Sequence, residues 1–155
     1  MKVAVACDHG GFPAKSRVIE EIRAAGHEPV DCGTDGPESV DYPDFAAKGA
    51  RLVADGEVER AVLLCGSGVG VTIVANKFPG VRACTCHDTY SAAQGVEHDD
   101  MNVLCLGSRV VGIEVLGELV RAFLGAEFSG AERHERRLNK MLDIERTNLE
   151  QGRKE

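Results

Sequence analysis

The chain has 155 residues, 43% of them apolar, enough for one domain with a substantial core. Its 18 Lys and Arg stand against 25 Asp and Glu for a net charge of −7, with no basic run before the C-terminal region, so no nucleic acid partner is expected. No apolar stretch approaches bilayer-spanning length and no secretory h-region precedes the first strand, so the expected location is cytoplasmic, with no membrane partner.

Short apolar runs alternate with helix-period segments, the pattern of a parallel sheet covered by helices on both faces. Strands are predicted at Lys2 to Cys7, Glu28 to Cys32, Arg60 to Cys65, Val81 to Cys86 and Val103 to Leu106. Helices are predicted at Pro13 to Ala25, Pro43 to Asp55, Val69 to Lys77, Thr89 to Glu97 and Ile113 to Leu124. Gly, Pro, Asp or Asn bounds each strand, as βα loops require. The expected class is α/β, a three-layer α/β/α Rossmann-like sandwich on a five-stranded parallel sheet. One domain spans residues 1–150, and residues 151–155 form a fraying tail. The segment from about 131 to 150 is highly charged, yet Leu138, Met141, Leu142 and Leu149 share one helical face. A second subunit is the natural cover for that stripe, so a homodimer is expected; the alternative is a helix folded back on its own sheet.

The most informative run is Cys65-Gly66-Ser67-Gly68-Val69-Gly70, a glycine-rich turn between the third strand and its helix. It sets a thiol beside backbone N–H groups that welcome a phosphate, carboxylate or enolate oxygen. The same field favours thiolate, so Cys65 is placed as a base or nucleophile. The alternative is that small residues merely let helix and strand pack closely. The other five cysteines, Cys7, Cys32, Cys84, Cys86 and Cys105, lie in or at the ends of strands and are read as core. Cys84-Thr85-Cys86-His87 lacks a second ligand pair at zinc spacing, so no metal site is assigned.

Ligands of open α/β sheets gather beyond the carboxyl ends of the strands. The groups expected there are Asp8 and His9, Asp41 and Tyr42, Cys65 to Gly70, His87 and Asp88, and Ser108 and Arg109. His98 and Asp99 fall in the connection before the fifth strand, remote from Cys65 in one chain but able to meet a neighbour's site across a dimer. Arg133 and Arg137, four residues apart on one helical face, can converge on a single phosphate; the alternative is a solvated face paired with Glu132 and Glu135.

Several ordered segments resemble the ribose-5-phosphate isomerase B family, which includes allose and galactose 6-phosphate isomerases. They are Cys7-Asp8-His9-Gly10-Gly11-Phe12, Asp41-Tyr42-Pro43, Cys65 to Gly70, Ala75-Asn76-Lys77, Tyr90-Ser91-Ala92, Asn102-Val103-Leu104, Gly107 to Gly112 and Arg133-His134-x-x-Arg137. The resemblance implies metal-free, cofactor-free interconversion of an aldose phosphate and its ketose through a cis-enediolate. It implies that Cys65 moves the proton between C1 and C2, that Ser67 and Asp8 relay protons between substrate oxygens, and that His98 opens the cyclic sugar. Some members use a glutamate on this loop; here that stretch offers only Val, Thr and Ile. The N–H groups of Gly66, Ser67, Gly68, Val69 and Gly70 are well placed to stabilise the developing oxyanion, and the resemblance further implies that His9, Arg109, Arg133 and Arg137 contact the phosphate. Tyr42 is expected to line the pocket, and a homodimer, or a dimer of such dimers, shares its active sites.

One departure bears on substrate. Many members have His-Asn-Asp where this chain has His98-Asp99-Asp100, and an ionised carboxylate cannot donate to a substrate oxygen as an amide can. Ribose 5-phosphate is the leading expectation, with a hexose 6-phosphate, a tetrulose phosphate or a non-catalytic subunit as alternatives. Val71 argues strongly against a cysteine phosphatase, whose loop needs Arg at that C-x5-R position.

Overall fold

The computed structural model describes residues 1–152. Its elements run β1 (Lys2–Cys7), α1 (Phe12–Ala24), β2 (Glu28–Asp31), α2 (Tyr42–Ala54), β3 (Arg60–Cys65), α3 (Val69–Ala75), β4 (Ala83–Thr85), α4 (Thr89–Asp99), β5 (Val103–Gly107), α5 (Ile113–Gly125) and α6 (Glu132–Gly152). All strand pairings are parallel, in the order β2-β1-β3-β5-β4. The predicted five-stranded α/β sandwich is present.

Alternation along the central strands builds two cores. Val3, Val5, Val62, Leu64, Leu104 and Leu106 face α1, α4 and α5, where they meet Ile22, Val96, Leu116 and Phe123. Ala4, Ala6, Ala61, Leu63 and Cys105 face α2 and α3, against Ala46, Ala50, Val53, Val71 and Ala75. Small side chains on this second face let the helices come close: a Cβ added to Gly49 of α2 would sit 2.6 Å from Leu63 Cδ2.

The differences from expectation have local causes. β4 is three residues rather than six, because Arg82 and Asn102 take over its entrance. The Arg82 N–H donates to Asn102 Oδ1 at 2.8 Å, and the Arg82 carbonyl accepts from the N–H groups of Asn102 and Val103. Helix α3 ends at Ala75 rather than Lys77, where the Asn76 side chain bridges to both the N–H and the carbonyl of Ala83. His98 and Asp99 belong to the last turn of α4, not to the connection after it; the helix stops where Asp100 takes φ 50° and pairs with Arg82 at 2.6 Å. Helix α6 continues through Gln151 and Gly152, two residues into the expected tail, and residues 153–155 lie outside the described residues.

Helix α6 does not fold back on the sheet. It is attached through His134 against α4 and through Glu145, whose carboxylate accepts from the Gly80 N–H at 3.0 and 3.1 Å. Met141, Leu142, Ile144 and Leu149 stay exposed.

Candidate active site

β1 is flanked by β2 on one side and by β3 on the other, so the order in which strands are added reverses between β1 and β3 while every strand stays parallel. Asp8 and Cys65 follow directly on the carboxyl ends of these strands, where open α/β sheets leave a crevice. A cavity of about 380 Å³ opens there, lined by Asp8, Tyr42, Cys65, Gly66, Ser67, Gly70, Arg109 and Val110.

The turn at its base is tightly fixed. Gly68 adopts φ 81°, a left-handed conformation that glycine takes without steric cost, and this turns its N–H onto Cys65 Sγ at 3.1 Å. The Val69 N–H donates to Ser67 Oγ at 3.3 Å. Among the described residues, the N–H groups of Gly66, Ser67 and Gly70 meet no protein acceptor. The loop after β5 is laced to this turn: the N–H groups of Ser108 and Arg109 donate to the carbonyls of Cys65 and Gly66, each at 3.0 Å, and Ser108 Oγ donates to the Gly10 carbonyl. The Arg109 side chain consequently lies over Gly66.

Asp8 is 7% exposed, and its Oδ1 accepts from the Gly11 N–H at 2.9 Å, leaving the carboxylate at the cavity wall. Tyr42, 39% exposed, lies across Gly70, where an added Cβ would come within 2.7 Å of its ring. The loop leading to Tyr42 is held at two points. Buried Lys15 donates to the Thr34 carbonyl at 2.8 Å and pairs with Asp31 at 2.9 Å. The Val40 N–H donates to His9 Nδ1 at 3.2 Å.

A second cluster lies on α4 and α6. His98 and His134 stack with ring centroids 4.0 Å apart and planes 29° from parallel. His134 is 2% exposed and hydrogen-bonded to Ser129 Oγ at 2.6 Å; burial, then the charges of His98, Arg133 and Arg137, hold its imidazole below the ordinary value. His98 Nδ1 lies 2.8 Å from Gln94 Nε2. Beside this cluster is a larger cavity, about 430 Å³, bordered by Cys84, Gln94, Asp99, Met101 and Met141. Cys84 is exposed rather than core, because edge strand β4 turns it toward this opening, and Cys32 is half-buried.

The chain matches the Ribose/Galactose Isomerase family model over residues 3–141. It belongs to that family. It is 45% identical to ribose-5-phosphate isomerase B of Escherichia coli, over 93% of this chain and 96% of that protein. It is also 40% identical to D-erythrulose-4-phosphate isomerase 2 of Mycolicibacterium smegmatis, over 83% of this chain and 86% of that one. Among solved structures, the type B ribose 5-phosphate isomerase of Trypanosoma cruzi superposes with a TM-score of 0.92 at 48% identity, covering 95% of this chain and 97% of that one. The protein is an aldose–ketose sugar-phosphate isomerase.

In this isomerase, the cavity gathers seven of the sequence-predicted residues: Asp8, Tyr42, Cys65, Gly66, Ser67, Gly70 and Arg109. Gly68 supports it from beneath, whereas Val69 and His9 are not among its walls. His98, Asp99, Arg133 and Arg137 are not brought to Cys65 within one chain. Sequence reasoning missed Val110 in the cavity wall, the support of the Tyr42 loop by Lys15, and the pairing of His98 with His134 and Gln94. Only the last left a signal: Gln94 is four residues before His98, on the same helical face.

Proposed function

We propose that this isomerase interconverts ribose 5-phosphate and ribulose 5-phosphate, with Cys65 as the base. The observation that carries the assignment is Cys65 Sγ at the floor of the cavity, beside backbone N–H groups that have no protein acceptor. The thiolate takes the proton from C2 of the aldose, charge passes to the C1 oxygen, and return of the proton to C1 gives the ketose. That carbon acid is labile only if the enediolate oxygens are stabilised, and the N–H groups of Gly66, Ser67 and Gly70 suit that task. Ser67 and Asp8 exchange the proton between O1 and O2.

The site is completed by a second copy of the chain. His98, as the acid–base group that opens the furanose, and Arg133 and Arg137, as phosphate ligands, come from the partner, with His9, Arg109 and Asp99 at the same end of the substrate. Two observations support this: His98, Asp99, Arg133 and Arg137 lie together on α4 and α6 and none of them lines the Cys65 cavity, and α6 leaves its apolar stripe exposed. Arg133 and Arg137 carry no ion pair among the described residues, so both guanidinium groups are free for an anion.

A tetrose phosphate is the second reading, favoured by Asp99 in place of the usual amide and by the relative named for D-erythrulose 4-phosphate. The test is turnover by EDTA-treated protein on ribose 5-phosphate beside erythrose 4-phosphate, allose 6-phosphate and galactose 6-phosphate. Conversion of ribose 5-phosphate above the others, lost in Cys65→Ala while inorganic phosphate still binds, is the expected result. Near-normal turnover by Cys65→Ala removes the base, and preference for erythrose 4-phosphate establishes the second reading.

A further inference from the structure

From the geometry around α4 we infer that Gln94 is a positioning residue for His98, fixing which imidazole nitrogen faces the substrate and which one carries the proton. The inference rests on the ring-opening role given to His98 above.

Gln94 and His98 are four residues apart on α4, so their side chains lie one above the other on the same face. The Gln94 amide nitrogen is 2.8 Å from His98 Nδ1, and this is the one hydrogen bond the amide makes among the described residues. Both side chains are half-buried, which lowers the competition from water. The far face of the His98 ring is closed by His134, whose own Nδ1 is engaged by Ser129 Oγ at 2.6 Å. The Ser129 N–H in turn donates to the Glu97 carbonyl at 3.0 Å, tying the approach to α6 to the last turn of α4. The His98 ring is therefore held on its face by stacking and at Nδ1 by an amide, and Nε2 is left for the substrate.

The choice of an amide matters. Opening a cyclic aldose breaks the bond between C1 and the ring oxygen, moves the anomeric hydroxyl proton to that oxygen, and leaves C1 as an aldehyde. A single imidazole that manages both transfers through Nε2 takes the anomeric proton there and gives it to the ring oxygen, so Nδ1 keeps its proton in both the neutral and the cationic form. With the amide N–H towards Nδ1 the imidazole proton sits on Nε2, which then has no lone pair for the substrate; a half-turn of the amide presents its oxygen to Nδ1–H and frees Nε2. Glutamine can therefore hold the tautomer that the reaction needs; a carboxylate would accept from Nδ1–H likewise, and would favour the cation. The charged groups around the stacked pair are Asp99 on α4 and Arg133 and Arg137 on α6; burial, then His98 and these two arginines, lowers the His134 imidazole, and Asp99 opposes them.

Ring opening is read directly in a Cys65→Ala background, where proton transfer between C1 and C2 is blocked. The measurement is exchange between the α and β anomers of ribose 5-phosphate, followed by saturation-transfer NMR across pH. Cys65→Ala is expected to speed exchange over buffer, and adding Gln94→Leu to reduce that acceleration about tenfold, less than the roughly hundredfold expected of adding His98→Asn. Adding Gln94→Glu should keep the acceleration but move its acidic limb up by about one pH unit. Inorganic phosphate affinity should stay unchanged in all of them. Exchange within twofold of the parent in Gln94→Leu, or an unmoved acidic limb in Gln94→Glu, overturns the role of Gln94, and the glutamate variant decides alone if the leucine variant does not fold. Exchange that is no faster than in buffer, or indifferent to His98→Asn, instead overturns the ring-opening role of His98.

Discussion

Gly107→Ala is the sharpest test of how the sheet holds the reactive turn. Gly107 ends β5 and pairs with Cys65 at the end of β3. A Cβ there would stand 2.5 Å from the Ser67 carbonyl carbon and 2.6 Å from its oxygen, both main-chain atoms that no rotamer change can move. Relief requires the 66–68 turn to shift by close to an ångström, which lifts the Gly68 N–H from Cys65 Sγ. Overpacking of this kind costs about 2 kcal/mol. For a chain of this size that lowers Tm by about 4–8 °C. A displacement of this order at the reacting atoms costs roughly a hundredfold in kcat. Gly117→Ala is the matched control, because the nearest atoms to its Cβ are the side-chain ends of Glu21 and Arg17, at 2.8 and 3.1 Å, and no main chain. Thermal melts and steady-state turnover on the preferred sugar phosphate, run on both variants, compare the two effects. Equal melts and equal kcat for Gly107→Ala and Gly117→Ala would refute the argument.

The other expectations concern charge and reactivity. His134 is held below its ordinary value, by burial first and then by His98, Arg133 and Arg137, so the stability it contributes is complete above the usual imidazole range and is lost as pH falls through it. Urea melts from pH 8 to 5 should show that loss, and His134→Asn should flatten it; an unchanged slope would remove His134 as its source. Cys84, with its pKa brought down to about 6 by the Cys86 thiol, should alkylate at pH 7 well before Cys7 and Cys32, both pushed up to about 11 by burial, and Cys105, pushed up to about 12 by burial. Peptide mapping after brief iodoacetamide treatment reads the order, and labelling of Cys105 ahead of Cys84 would contradict it. Arg137→Ala should raise KM for the sugar phosphate about tenfold or more with little change in kcat, as for loss of a charged phosphate contact. An unchanged KM would take Arg137 out of the substrate site.

The central strands were legible because each is a short apolar run closed by a turn-forming residue, and β1 and β3 occur at the predicted residues. The floor of the site was legible for the same reason: a cysteine followed by alternating glycines directly after a strand leaves few places for the thiol. β4 was overdrawn because periodicity cannot report that the side chains of Arg82 and Asn102 replace ladder hydrogen bonds at its entrance. The end of α4 was missed because Asp100, a non-glycine residue in a left-handed conformation, gives no sequence signal as plain as glycine. Cys84 was read as core because alternation gives the face of a strand but not whether that face is covered, and an edge strand need not be. The stack of His98 on His134 depends on where α6 crosses α4, and neither residue's neighbours in sequence encode that crossing.

The small side chains beneath α2 and α3 bear on how such a scaffold accommodates different sugars. With alanines, Cys105 and Gly49 at that interface, α2 and α3 pack closely on the sheet, and the Cys65 turn is held by its backbone hydrogen bonds. Helix α6, carrying Arg133 and Arg137, is tied down at only a few points. On the composite-site reading, the chemistry is built into the closely packed part of the molecule and the anion contact into a helix with few attachments. The distance between them then acts as a ruler for chain length, and moving one helix by part of a turn alters which sugar phosphate fits without disturbing the thiol that transfers the proton.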